Sequence, residues 1–227
     1  MKKNRKALIV TAAGSSKRFG SSEPKLLQPM GDVPVLAHTL QNTCCFDWDE
    51  IILTTSQETQ KEIRDLIQRL SLDTACDIKI ILGGATRKDS VEKAVRHCQS
   101  EWVFIHDGAR PIPSKSLIQR CIEAPFSYDA LCPGIPVTDT IKEVKNGKVN
   151  KTLIRKDLVA IQTPQRFLRQ SLLEAYDHLT DTEITDEAML IEALGNPVHI
   201  IEGCPQNHKV TYAQDLLYLE TFLPLEG

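Results

Sequence analysis

The chain lacks most of the signatures that would sort it at once. It has no Gly-x-Gly-x-x-Gly and no Gly-Lys-Ser/Thr, so neither the dinucleotide fingerprint nor a Walker loop is present. It has no Cys-x-x-Cys, and its seven cysteines are an odd number, which points to neither a disulfide framework nor a zinc site. They read as small apolar residues of a reducing compartment. No apolar run reaches membrane-spanning length. The formal net charge of −3 excludes the basic balance of a general nucleic-acid binder. No internal repeat or low-complexity segment occurs. The Met1–Lys6 segment is basic, but the apolar stretch after it is too short for a signal peptide, so the expected location is cytoplasmic, with no membrane and no nucleic-acid partner.

What is present is an alternation of apolar runs and amphipathic stretches in 227 residues, a length that suits a single domain, 1–227. Ala7–Val10, Ile51–Thr54, Ile78–Leu82 and Trp102–Ile105 read as strands. Thr55 to Glu58 has capping-box spacing and opens a helix whose Ile63, Leu66, Ile67 and Leu70 share one face. A second helix is expected from Asp89 to Gln99. The pattern predicts an α/β fold: a Rossmann-like, mostly parallel sheet with helices on both faces. Later segments predict helices over Phe167–Tyr176 and Thr185–Leu194, a strand over Val198–Glu202, and a last helix from Thr211 to Phe222.

Residues 139–161 depart from this pattern. Two alternating stretches flank Asn146-Gly147, a strong hairpin turn. A two-stranded hairpin is marginal alone in water, so it is expected as a protruding arm that packs on a second subunit. A surface hairpin lying on its own domain is the plainer alternative.

The most informative segment runs from Ala12-Ala13-Gly14-Ser15 to Arg18, then Pro24-Lys25. Small residues after a strand let the backbone close around phosphate, and two cations suit an anion carrying several phosphates. Gly83-Gly84 and His106-Asp107 also fall at carboxyl ends of strands, where ligands bind in such sheets. A carboxylate facing a triphosphate needs a cation between them, so Asp107 is expected to help place Mg2+, with other divalent ions possible. Taken singly, Asp107 could as well pair with Arg110, and His106 reads as a satisfied structural histidine.

These blocks, with Gly83 to Val91, His106 to Pro111, Asp139 to Lys142, Gln162 to Phe167, Thr185 to Ala188 and Asn207 to Thr211, resemble in their order the 2-C-methyl-D-erythritol 4-phosphate cytidylyltransferase family of the non-mevalonate isoprenoid route. The resemblance spans nearly the whole chain. It implies transfer of CMP from CTP to a polyol phosphate with release of pyrophosphate, and a homodimer formed through the arm. It implies catalytic roles for Arg18 and Lys25. Nucleotide contacts would come from Ala12, Ala13, Gly14, Ser15, Gly83, Gly84, Ser90, Asp107, Gly108 and Lys209. Polyol phosphate contacts would come from Thr140, Arg155, Thr163, Thr185, Asp186, Lys209 and Thr211. Each threonine, taken alone, is more often a turn or cap residue. The chain departs from the family at Ser16, Leu26, Gly108, Met189 and His208, where glycine, glutamine, alanine, serine and isoleucine are common. Ribitol-5-phosphate cytidylyltransferase is the nearest alternative; a nicotinamide-dependent oxidoreductase on a Rossmann-like fold and a non-catalytic nucleotide-binding regulator are more distant ones.

Overall fold

Neighbouring residues of the first apolar run enter different cores. The computed structural model describes residues 4–14, 19–20, 23–70, 72, 76–179 and 184–223. In its first strand, β1 (Lys6–Ala12), Leu8 and Val10 join one hydrophobic cluster while Ala7 and Ile9 join another on the opposite face. A strand buried on both faces needs apolar residues at every position, as parallel strands do. Each fully buried aliphatic side chain contributes about 1.5–3 kcal/mol relative to exposure, so both faces are held.

After β1 come a short ladder, β2 (Pro29–Met30) and β3 (Val33–Pro34), and then α1 (Val35–Thr43). The α/β alternation follows: β4 (Glu50–Thr55), α2 (Gln60–Arg69), β5 (Ile78–Leu82), α3 (Arg87–His97), β6 (Trp102–Asp107), α4 (Lys115–Glu123) and β7 (Ala130–Pro136). The hairpin strands are β8 (Lys142–Lys145) and β9 (Lys148–Thr152). The chain then returns through β10 (Val159–Ile161), β11 (Gln165–Leu168), α5 (Arg169–His178), α6 (Ala188–Ala193), β12 (His199–Glu202) and α7 (Gln214–Glu220).

The main sheet is ordered β10-β7-β11-β6-β1-β4-β5, with β12 also paired to β7. β5, β4, β1 and β6 are mutually parallel. β11 runs against both β6 and β7, so β7 points the same way as β6, and β12 is parallel to β7. The sheet is therefore mostly parallel, with β10 and β11 reversed. Those two follow one another along β7, parted by Gln162-Thr163-Pro164. Helices α1, α2, α4 and α7 bury their apolar faces on one side of the sheet, and α3, α5 and α6 on the other.

Four local expectations need correction. Thr55 continues β4 and is fully buried, so no capping box opens there; Ser56 Oγ instead accepts from Thr59 N–H at 3.2 Å, and the helix begins at Gln60. Phe167 is a strand residue, paired with Val103 and Ala130, and the helix starts only at Arg169. The helix expected from Thr185 is shorter, Ala188–Ala193, with Asp186 Oδ1 accepting from Met189 N–H. The last helix begins at Gln214, because Asp215 takes the Thr211 and Tyr212 N–H groups at 2.7 and 2.8 Å and holds those residues in a turn. In each case a side chain or a sheet partner offers the backbone a competing hydrogen bond.

The hairpin turn has Asn146 at φ 50° and Gly147 at φ 74°, the pair of left-handed residues that a tight two-residue turn requires. The arm is exposed along its length, including Val144 at 56% and Val149 at 60%, with Ile154 beyond it at 64%. Among the described residues no helix is long and apolar enough to cross a membrane.

Candidate active site

The carboxyl ends of β1 and β6 open into a cleft of about 370 Å³. Ala13 and Gly14 line it from the end of β1, Asp107 and Gly108 from the end of β6, and Thr86, Arg87 and Ser90 from the start of α3. Lys25 and Leu26 close one side, and Lys209 and Thr211 another. Among the described residues lining the cleft the charged groups are Lys25, Arg87, Lys209 and Asp107, three cations against one carboxylate. That excess suits a polyanion.

Asp107 is the hub of this charge. Its Oδ2 accepts from Lys209 Nζ at 2.7 Å, its Oδ1 from Arg87 Nε at 3.3 Å, and Arg110 Nε lies 3.7 Å from Oδ2. Burial alone would raise its pKa, but Arg87, Lys209 and Arg110 hold the carboxyl far below the usual carboxylate range. Arg87 also donates Nη1 to both oxygens of Glu187, at 2.9 and 2.8 Å. Glu187 is completely buried; burial pushes its pKa up and Arg87 pulls it back. Two such short bonds are those of a carboxylate gripped by a guanidinium. Arg87 and Glu187 fall within the blocks Gly83 to Val91 and Thr185 to Ala188, where residue type alone gives them no role. The available signal was the position of Arg87, the first residue after the Thr86 cap at a strand's carboxyl end.

Arg110 does structural work as well as pairing with Asp107. Its Nη1 donates to the Asn207 carbonyl at 2.7 Å and its Nη2 to that of Ile161 at 3.4 Å, tying the Asn207 loop to the end of β10. His106 is fully buried, and burial pushes its pKa down to about 4. Its Nε2 must be the protonated nitrogen, because it lies 3.0 Å from the Arg110 carbonyl oxygen, which can only accept. Nδ1 then accepts from the Thr163 hydroxyl at 3.0 Å, and Thr163 Oγ1 accepts from Asp107 N–H at 3.1 Å. His106 is thus a neutral, saturated histidine with no proton role open to it.

The phosphate-type loops are packed tightly against one another. A Cβ on Gly83 would come within 2.6 Å of both Ala13 Cβ and Ser90 Oγ, and one on Gly84 would collide with Asp89 Cβ. Thr86 caps α3 in a capping box with Asp89. Ser90 Oγ donates to the Thr86 carbonyl at 2.8 Å and accepts from Gly84 N–H at 3.0 Å, which leaves one lone pair for a ligand donor. Gly108 approaches β1 closely: a Cβ there would stand 2.7 Å from the Thr11 carbonyl oxygen.

The structure does not bring every expected residue to this cleft. Ala12 is buried at the end of β1, with Ala13 and Gly14 facing outward beyond it. Gly83 and Gly84 lie behind Ala13 and Ser90 as packing partners. The resemblance puts Thr163 on the polyol; it is buried, with its hydroxyl engaged by Asp107 N–H and His106. Thr185 donates to Met189 Sδ, and Asp186 accepts from Gln165 Nε2 at 2.7 Å, which leaves both at the head of α6. Thr140 and Arg155 are exposed near the arm and do not line the cleft; Arg155 donates to the Thr138 carbonyl at 2.6 Å. Ser15, Ser16 and Arg18 lie outside the described residues.

Among the described residues no three His, Cys, Asp or Glu side chains converge to hold a metal ion. Asp107 is the one carboxylate among the described residues lining the cleft, and its two oxygens already accept from Lys209 and Arg87; magnesium commonly takes one or two carboxylates and fills its shell with water and substrate phosphates.

Residues 6–224 match the IspD family, described as 2-C-methyl-D-erythritol 4-phosphate cytidylyltransferase. A protein of that name from Bacillus thuringiensis is 38% identical over 226 residues, covering 96% of this chain and 98% of that protein. The solved structure of 4-diphosphocytidyl-2C-methyl-D-erythritol synthase from Anaerococcus prevotii superposes with a TM-score of 0.83 at 27% identity, covering 96% of this chain and 98% of the other. The 2-C-methyl-D-erythritol 4-phosphate cytidylyltransferase of Francisella tularensis gives a TM-score of 0.78 at 28% identity, with 96% and 100% covered. The parallel sheet, the cation-lined cleft at its carboxyl ends and the match over residues 6–224 agree, and the chain belongs to the 2-C-methyl-D-erythritol 4-phosphate cytidylyltransferase family.

Proposed function

We propose that this enzyme transfers CMP from CTP to 2-C-methyl-D-erythritol 4-phosphate, forming the CDP-linked methylerythritol and pyrophosphate. The observation that carries the reading is the cleft itself, where Lys25, Arg87 and Lys209 surround Asp107 beside the bare backbone of Ala13 and Gly14. The attacking group is an oxygen of the acceptor's phosphate, aimed in line at the α-phosphate of CTP. Its second pKa is about 6, as for a phosphoserine, so it is mostly dianionic at neutral pH and needs no general base. The saturated state of His106 accords with this. The barrier is the approach of two anions, and catalysis consists of positioning and charge neutralisation.

Lys25, with Arg18, stabilises the crowded phosphates, and Lys209 steadies the acceptor. Ala13, Gly14 and the spare lone pair of Ser90 face the nucleotide, the last suited to the cytosine amino group. Asp107 would help hold magnesium, which would supply further neutralisation of the leaving pyrophosphate. The exposed valines of the arm pack on a second copy, which brings Thr140 and Arg155 to the partner's acceptor site. Seven cysteines without a disulfide accord with a reducing, cytoplasmic setting.

The test is pyrophosphate release from CTP and magnesium with 2-C-methyl-D-erythritol 4-phosphate or D-ribitol 5-phosphate as acceptor, the product identified by mass. Release with the methylerythritol phosphate is expected. Release with ribitol phosphate alone would reassign the acceptor, and none with either would reject the activity.

A further inference from the structure

The turn that ends β6 spends its backbone hydrogen bonds almost completely. Asp107 N–H donates to Thr163 Oγ1 at 3.1 Å, Gly108 N–H to the Thr11 carbonyl at 3.0 Å and Arg110 N–H to the Asp107 carbonyl at 2.9 Å. The carbonyls of Gly108, Ala109 and Arg110 accept from the Thr39 hydroxyl at 2.8 Å, Val210 N–H at 2.8 Å and His106 Nε2 at 3.0 Å. One group is left over: among the described residues Ala109 N–H has no partner. Ala109 is 5% exposed and lines the cleft, and its carbonyl is tied to the residue that follows Lys209. A buried N–H with no partner is rare, because it has given up the water it bonds in the unfolded chain.

Thr39 fixes the direction of that N–H. It is fully buried in α1, and its hydroxyl lies closer to the Gly108 carbonyl than to the Val35 carbonyl of its own helix, at 2.8 against 3.2 Å. The Gly108–Ala109 peptide is trans, so its C=O and N–H point to opposite sides. With the carbonyl held against α1, the N–H is turned away from that helix. We propose that Ala109 N–H donates a hydrogen bond to an oxygen of a bound substrate, and that Thr39 is the positioning residue that aims it. The inference rests on the reading of this cleft as the substrate site. A fixed backbone donor of this kind needs no rearrangement when substrate arrives.

Amide NMR of the wild-type enzyme tests the donor directly. The probes are CTP with magnesium, and the CDP-linked methylerythritol, which carries the acceptor half as well. In at least one complex the Ala109 proton is expected to move downfield and to exchange with solvent about tenfold more slowly or slower still, while Gly108 N–H, already bonded to Thr11, changes by less than about threefold. Protection by CTP assigns the oxygen to the nucleotide, and protection by the product alone assigns it to the acceptor. An Ala109 proton unmoved in both complexes, with binding verified by calorimetry, overturns the inference. Thr39→Val and Thr39→Ser test the aim. Valine keeps the shape of threonine but releases the Gly108 carbonyl, so kcat/KM is expected to fall about tenfold in the folded variant, and serine to restore it to within about threefold. Wild-type kinetics in folded Thr39→Val, or a loss that serine does not restore, removes Thr39 from the role. If the valine variant does not fold, the wild-type amide spectrum decides. A wild-type enzyme inactive with both acceptors would instead bring down the proposed function, so the two failures are distinguishable.

Discussion

Lys25 Nζ donates to the carbonyl oxygen of Val210, 2.8 Å away across 185 positions of sequence. Val210 in turn donates its N–H to the Ala109 carbonyl at 2.8 Å, and Lys209 precedes it. One turn therefore carries one cation and anchors another. Lys25→Ala removes a preorganised charge, whose loss typically costs about a hundredfold or more in turnover. That fall is expected in kcat, with a smaller change in CTP affinity by calorimetry. Full turnover in the variant would take Lys25 out of the mechanism.

His106 makes acid stability predictable. An unfolded histidine takes its proton near the ordinary value of 6.5, whereas folded His106 resists until about 4. Between these values the unfolded state binds the extra proton, so the stabilisation is complete above pH 6.5 and is lost as pH falls towards 4. The amount is about 3 kcal/mol, at about 1.4 kcal/mol for each pH unit of difference. Denaturant titrations at pH 7 and pH 4.5 should show this loss in wild type and a much smaller one in His106→Gln. The rate has a separate acid limb near pH 6, set by the acceptor phosphate. A wild-type stability that is flat from pH 7 to 4.5 would contradict the buried, neutral assignment.

Gly83→Ala tests the close packing of the nucleotide loops. The added methyl meets Ala13 and Ser90, and overpacking of this kind costs about 1–3 kcal/mol. Lower thermal stability and weaker CTP binding are expected together, because Ala13 and Ser90 both line the cleft. A variant with unaltered melting and CTP affinity would show that the loops can part freely.

The arm carries the fourth prediction. If it crosses to a partner, Arg155→Ala raises the acceptor's KM far more than that of CTP. Mixing Arg155→Ala chains with Lys25→Ala chains creates heterodimers with one intact site and one doubly defective site. Partial recovery of activity is expected once sedimentation verifies exchange. Activity that stays at the parental floor in verified heterodimers excludes a shared site, and so does full activity in a monomer.

Much of the sheet is legible from sequence because β1, β4 and β6 are buried on both faces and carry apolar runs. The hairpin is legible for another reason, the left-handed demand of Asn146-Gly147. Phe167 reads as helical because its apolar spacing continues into α5, and only the neighbours Val103 and Ala130 make it a strand residue. At the cleft, small loops and Asp107 stand out by their position at strand ends. The pairing of Arg87 with Glu187 spans 100 positions and leaves no periodic trace. Thr163 shows the opposite limit: residue type alone cannot tell a hydroxyl offered to a ligand from one already committed to Asp107 N–H and His106.

The place of β11 has a consequence for synthesis. β6 pairs with β1 on one edge, from residues already made, but its other edge waits for β11, whose Leu168 lies opposite Trp102. A chain emerging from its N-terminus therefore passes through a stage with Val103, Phe104 and Ile105 on a bare sheet edge, a surface open to mispairing. The bare edge lasts until the residues after the arm have emerged. Slow translation between residues 108 and 165 prolongs that exposure, and fast translation shortens it.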